Sequence, residues 1–242
     1  MNMKKLLIIA AIALLPLTFS AQTVLMEEYP ASDTIVPKWG KNLRHFIHLY
    51  FSYSMIVDDF SNNTAKNKIP GSGEFALGLR YKLKLTNFYA MGLDFGMNST
   101  GFAVKQSDGK TFPTNIKHKK ENIQLSSLSL EYFNRINFDR RGNKIGKFID
   151  IGAYGFVNLN SWHYIQDVYD TLSFGSSKKI EVKYFKPDYL NNYGYGASVR
   201  LGMDMFVLTA RYRLSDLIKK TGSYEGFPEL PRMMVGIQIS VH

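Results

Sequence analysis

From Phe75 to Leu85 every second residue is large and apolar: Phe75, Leu77, Leu79, Tyr81, Leu83 and Leu85. Glu74, Ala76, Gly78, Arg80, Lys82 and Lys84 occupy the other parity. Side chains on a strand point alternately to its two faces, so this stretch predicts a long strand with one apolar wall and one charged or tiny wall. Thr86 and Asn87 turn the chain. Tyr89, Met91, Leu93, Phe95 and Met97 then resume the apolar wall, with Ala90, Gly92, Asp94 and Gly96 behind it. The length of the alternation suits strands of membrane-spanning size, roughly 9–11 residues each.

The same pattern recurs along the chain. Ile47, Leu49, Phe51, Tyr53 and Met55 oppose His48, Tyr50, Ser52 and Ser54 in a first strand over 44–55. A fourth strand over 123–138 sets Leu128, Leu130, Tyr132, Ile136 and Phe138 against Ser127, Ser129, Glu131, Arg135 and Asn137. Comparable strands are expected over 147–160, 189–201, 205–215 and 232–242, the last with Met233, Val235, Ile237, Ile239 and Val241 on one side. Polar stretches over 58–72, 100–122, 161–188 and 216–231 read as long loops, and short turns join the remaining strands. Long and short connections therefore alternate around eight strands. That is the topology of an outer-membrane barrel with long loops outside and tight turns in the periplasm.

Three segments follow: a signal peptide over 1–21, a periplasmic arm over 22–43 and the barrel over 44–242. Lys4 and Lys5 precede the apolar run 6–17, and Ser20-Ala21 offers small residues for cleavage, the pattern of a secretory signal. About 220 residues remain, enough for one domain. Trp39-Gly40 would rest near the barrel rim. The net charge of +10 falls to +8 when Lys4 and Lys5 leave with the signal. Export makes nucleic acid an unsuitable partner, and anionic lipid head groups fit the positive balance better. The chain has no cysteine, hence no disulfide framework or thiolate metal site.

Alternation alone also fits a soluble lipocalin-like barrel, whose apolar set lines a ligand cavity. Glycine on the polar parity (Gly78, Gly92, Gly96, Gly152, Gly194, Gly196, Gly236) favours the membrane form. Glycine weakens a solvated strand, whereas a narrow lumen needs small residues. The opposite parity is rich in leucine and aromatics and unbroken by charge, as lipid contact requires. The chain resembles the small eight-stranded outer-membrane barrels of the OmpA and OmpX type, and the Ser20-Ala21-Gln22 signal end and size are similar to the PorT-like barrels. The resemblance implies an all-β fold, an eight-stranded antiparallel up-and-down transmembrane β-barrel in the outer membrane of a Gram-negative-type bacterium. It also implies a structural or interaction role, with PorT pointing to a protein-secretion assembly and envelope partners.

Charges on the inward parity predict a lumen network: Glu74, Asp94, Glu131 and Asp150 against Arg80, Lys82, Arg135, Arg200, Arg211 and Arg213. Enclosed charges must pair or keep water, because isolated burial costs several kcal/mol. A plugged interior is expected, with Arg211 and Arg213 the candidates for a charge switch should the lumen be gated. Gly78→Ala is expected to be mild or to disturb only interior packing. No enzyme activity is expected. The alternative, a lipid A-modifying barrel, would rest on Ser161, His163 and Asp167, a hydroxyl, a base and an orienter. His45 and His48 fall on opposite faces of one strand, and no metal or cofactor motif occurs. Lys105, Lys110, Lys117, Lys119 and Lys120 would meet outer-membrane lipid and lipopolysaccharide phosphates at the cell surface.

Overall fold

The computed structural model describes residues 37–57, 65–68, 71–108, 110–138, 142, 144–171 and 176–241. The expected signal peptide, the arm as far as residue 36 and residues 58–64 of the first long loop lie outside the described residues. Among the described residues nine strands form: β1 His45–Val57, β2 Gly73–Lys84, β3 Tyr89–Ala103, β4 Lys120–Asn137, β5 Lys147–Thr171, β6 Ser176–Phe185, β7 Tyr193–Met203, β8 Phe206–Arg213 and β9 Met233–Val241. Eight of them close an antiparallel barrel in the order β1-β2-β3-β4-β5-β7-β8-β9, with β9 returning to β1. The end carrying the short β2–β3, β4–β5 and β7–β8 turns is called lower here, the other upper.

The register joins the apolar parities into a belt around the outside. Leu49 stands opposite Leu79, Leu79 opposite Phe95, and Phe95 opposite Leu130. Across the barrel Leu201 pairs with Leu208, Leu208 with Ile237, and Ile239 with Phe51. These side chains are about half exposed, while their neighbours of opposite parity are buried or, at Ser52 and Gly236, half-buried. A single parity holds throughout the belt because a slip of one residue would carry every side chain to the wrong face.

Glycine on the inner wall has a partner that the period does not show. Tyr50 lies directly across from Gly78, Phe133 from Gly92, Phe148 from Gly202, and Tyr154 from Gly196. Each ring fills the space that its glycine leaves. A Cβ on Gly202 would stand 2.0 Å from the Phe148 ring, and one on Gly78 would stand 2.4 Å from the Tyr50 ring. Of the two outcomes expected for Gly78→Ala, this contact selects disturbed interior packing. A methyl group there must displace Tyr50, and overpacking of this kind costs about 1–3 kcal/mol.

Residues 161–188, expected as a loop, are mostly strand. β5 continues as far as Thr171 and pairs with β6, with Trp162 opposite Phe185 and Thr171 opposite Ser176. A bulge breaks the period at Asn160. Ser126 of β4 faces Asn160 and Ser127 faces Asn158, so Leu159 is the extra residue. One inserted residue exchanges the faces. Beyond it Ser161, His163 and Ile165 point inward, where uninterrupted alternation would have sent Asn160 and Trp162.

Apolar clusters close both ends. Phe46, Ile145, Phe148 and Val207 pack together at the lower end. At the upper end Ile56, Phe102, Ile123, Leu125 and Met234 from the strands meet Ala65, Phe112, Leu190, Leu217, Ile218 and Leu230 from the connections. Trp39 stands at the lower rim, 62% exposed, its ring 5.1 Å from that of His45.

Candidate functional site

Between the two apolar closures the lumen holds a continuous chain of alternating charges. Register alone makes Arg80 the neighbour of Asp94, and Arg135 the neighbour of Asp150. Arg135 donates from Nε and Nη2 to Asp150 at 2.6 and 2.8 Å. Arg80 donates to Asp94 at 2.8 Å through Nε, and its Nη1 lies 3.5 Å from Asp150 Oδ2, the oxygen that also accepts from Arg135 Nη2. Asp94 and Glu131 face each other across β3 and β4, a like-charge juxtaposition that would destabilise the sheet if left alone. Arg200 from β7 resolves it by reaching across the lumen, donating to Glu131 at 2.7 Å and standing 3.7 Å from Asp94. Tyr50 and Ser198 hydroxyls, each at 2.6 Å, complete Asp94 and Glu131 respectively. Arg80 and Asp150 are 0% exposed and Arg135 is 1% exposed, so the interior is filled.

Aromatic rings finish the packing. The Arg135 guanidinium stacks 3.4 Å from the centroid of Phe148, and that of Arg211 lies 4.1 Å from Tyr154. Planar guanidinium is suited to such double use, donating in its plane and stacking on its face. Lys82 is buried near the lower end, where its Nζ donates to the Lys41 carbonyl at 2.5 Å and stands 5.4 Å from the Phe46 centroid. Glu74, near the top of the network, accepts from Arg211 at 2.5 Å and from Thr100 at 2.8 Å. Above it a void of about 20 Å³ is bordered by Asn158, Arg211 and Arg213. That is room for about one water molecule.

Arg213 leaves the lumen network for the upper closure. Its Nη1 donates to Glu229 at 2.8 Å, and its Nη2 donates to the Leu230 carbonyl at the same distance. Glu229 also accepts the Leu217 and Ile218 main-chain N–H groups. One buried pair thus pins the connection between β8 and β9 over the mouth. Glu229 was not among the residues expected to matter. Its signal is a lone carboxylate amid Phe227, Pro228, Leu230 and Pro231, a setting in which a charge needs a buried partner.

A second clasp holds the connection between β3 and β4. Glu121, 1% exposed, accepts from His163 Nε2 at 2.9 Å, from Gln106 at 2.8 Å and from Lys110. Burial alone would raise the Glu121 carboxyl, but hydrogen bonds from His163, Lys110 and Gln106 outweigh it and hold the group below its ordinary 4.5. Close by, Asp167 accepts from His118 Nδ1 at 2.7 Å and from the Lys119 N–H at 3.0 Å. The His118 hydrogen bond is the main reason that Asp167 ionises below its ordinary 3.8.

This arrangement dissolves the trio Ser161, His163 and Asp167. His163 takes Glu121 as its partner and Asp167 takes His118, so no hydroxyl, base and orienter share one line of hydrogen bonds. Of the five loop lysines, Lys105, Lys119 and Lys120 are exposed. Lys117 pairs with Asp108 and keeps about half its side chain in solvent. Lys110 corrects the expectation that all five face outward. Its side chain is only 3% exposed and reaches in to Glu121 and the Ile116 carbonyl. His45 and His48 point to opposite faces as expected, His45 to the Tyr81 hydroxyl at 2.8 Å and His48 into the barrel. Among the described residues no group of three or more histidines and carboxylates is arranged to hold a metal ion.

No protein-family model matches the chain, and no curated protein is similar to it.

Proposed function

We propose that the protein is an outer-membrane barrel with a structural or interaction role, exerted through its upper, cell-surface end rather than through its lumen. One observation carries this reading. Within the belt the outer wall is hydrocarbon and the inner wall is charged, but further up the same strands the order reverses. On β4, Leu128, Leu130 and Tyr132 point outward and Glu131's parity points inward, whereas above them Gln124 and Asn122 point outward and Leu125 and Ile123 inward. Water on both sides of the wall would give no reason for that reversal. A bilayer around the belt and water above it would, since lipid-facing strands carry apolar side chains only at membrane depth.

The filled lumen supports a role outside it. A lipocalin-like reading needs a ligand cavity, and the charge network occupies the place where one would be. The likeness to PorT-like barrels makes a component of a protein-secretion assembly the specific form of the proposal. Membrane fractionation with a heat-modifiability gel tests the location: the chain should appear in the outer-membrane fraction with a folded band that shifts on boiling. Recovery in the soluble periplasm without that shift would overturn it. Crosslinking in intact cells followed by identification of partners tests the role. Recovery of secretion-apparatus proteins supports it, whereas a chain crosslinked to none of them removes the secretion reading.

A further inference from the structure

We infer that the free edge of β6 is a docking strand for an extended, acidic segment of another envelope protein, a claim that rests on the proposed exposure of the upper end. β6 ends the sheet: it pairs with β5 on one side and, among the described residues, with no strand on the other. The Lys186 N–H donates to the Ser161 carbonyl at 2.8 Å, and this fixes which residues spend their main-chain groups on β5. In an antiparallel pair hydrogen-bonded residues alternate, so Tyr184, Val182 and Ile180 bond to β5. Phe185, Lys183, Glu181 and Lys179 therefore aim their N–H and C=O groups away from it. Such an unsatisfied row is the template on which an extended peptide adds as a further strand.

The side chains narrow the occupant. Tyr184, Val182 and Ile180 share one face and are 54%, 37% and 42% exposed, apolar surface that the fold leaves uncovered. On the other face Lys179 and Lys183 flank Glu181, which pairs with Lys179, while Lys183 lies 5.8 Å from the centroid of the Tyr164 ring. An added strand with acids opposite Lys179 and Lys183, a polar residue between them, and β-branched or aromatic residues on the alternate positions would meet both faces. Cross-strand pairs of opposite charge favour such a register. A second copy of this chain fits poorly. Two barrels in one membrane relate by a two-fold axis along the membrane normal, which keeps both β6 strands pointing the same way. That arrangement brings Lys179 against Lys179 and Lys183 against Lys183, like charges directly opposed.

The full chain in lipid nanodiscs should bind a labelled synthetic peptide in which valine alternates with aspartate, serine and aspartate. It should bind about ten-fold more weakly a peptide with lysine in place of aspartate, the effect expected of two cross-strand charge pairs. Glu181→Pro removes an N–H that faces the free edge, a position where an edge strand tolerates proline. It should abolish binding while the folded band and the β5 pairing persist. Lys179→Glu with Lys183→Glu should reverse the preference between the two peptides. Equal binding to wild type and Glu181→Pro, no preference between the peptides, or no binding below roughly 1 mM would each overturn the inference. Self-association of the chain that Glu181→Pro abolishes would overturn it in favour of a second copy. If the chain fails to enter lipid, the location reading fails by itself, and peptide binding can still be read on the soluble protein.

Discussion

The belt and the upper closure are built from the same strands with opposite rules. In the belt, charged side chains turn inward and are neutralised against one another, while Leu79, Phe95 and Leu130 face out. In the closure Ile123, Leu125 and Phe102 turn inward, and Gln124, Asn122 and Ser126 face out, as in a water-soluble protein. Hydrogen bonding along the strands is the same in both, and the proposed bilayer around the belt with water above it accounts for the difference. The comparison also separates two kinds of polar contact. In the belt ion pairs fill space that hydrocarbon could have filled. In the closure Glu229 and Glu121 each fasten a long connection to the strands.

The largest effect should come from breaking the belt's charge chain at its centre. Asp150 serves Arg135 and Arg80 together, and all three are buried. Asp150→Ala strands the Arg135 guanidinium and leaves Arg80 with Asp94 alone, and removing one partner of a buried pair typically costs about 3–5 kcal/mol. Urea unfolding in liposomes should show that loss. Truncating Arg135 and Asp150 together, which leaves fewer unpaired charges, should cost less than the two single losses combined. A double variant as damaged as that sum would mean that the network is not coupled.

One substitution placed in each region sharpens the contrast directly. Leu79→Arg sets a charge against the proposed hydrocarbon layer and should cost about 2–4 kcal/mol near mid-depth. Gln124→Arg points out of the same wall above the belt and should stay within about 0.5 kcal/mol of wild type. Unfolding of both variants under identical lipid conditions checks the pair. Equal costs would remove the proposed boundary between Leu128 and Ser126.

The belt was legible in the sequence because one face of each strand stays apolar over many residues, and a period of two needs nothing else to be read. Parity assigned Glu74, Arg80, Asp94, Glu131, Arg135, Asp150 and Arg200 to the lumen before any register was known. Pairing was another matter. That Arg200 bridges Asp94 and Glu131, or that Tyr50 covers Gly78, depends on neighbours distant along the chain. The upper region was read least well, for two local reasons. The bulge at Leu159 exchanges the faces of β5, so alternation followed through Asn160 loses the strand. Ile180, Val182 and Tyr184 do alternate with Lys179, Glu181 and Lys183, but the run is short, and its apolar residues lie uncovered instead of marking a core.

Acid should loosen the upper clasp before the belt. Glu121 and Asp167 both ionise below their ordinary values of 4.5 and 3.8 in the folded chain. A depressed carboxyl stabilises fully above its ordinary value, and that contribution disappears as pH falls through the lowered one. Below about pH 4, therefore, residues 104–119 should lose hydrogen-exchange protection as Lys110, His163 and His118 lose their carboxylate partners. Amides of β2 and β3 within the belt should stay protected over the same range. Simultaneous loss in both regions would show that clasp and belt open as one unit.

The smallest effect concerns the loop lysines, and it separates solvent-facing charge from fastening charge. Lys105, Lys119 and Lys120 are exposed above the belt, where each contact with an anionic head group is worth about 1 kcal/mol before screening. Replacing these three by serine should weaken binding to lipopolysaccharide-containing vesicles at low salt. The difference should fade at about 0.5 M salt, where the screening length falls to a few ångström. Lys110 spends its charge on Glu121 inside the clasp. Lys110→Ser should accordingly leave the salt-dependent binding unchanged and instead raise the protease sensitivity of residues 104–119. If Lys110→Ser weakened vesicle binding as strongly as the triple variant, the inward lysine would be a head-group contact too, and the division between the two kinds of charge would fail at the residue where it is drawn most sharply.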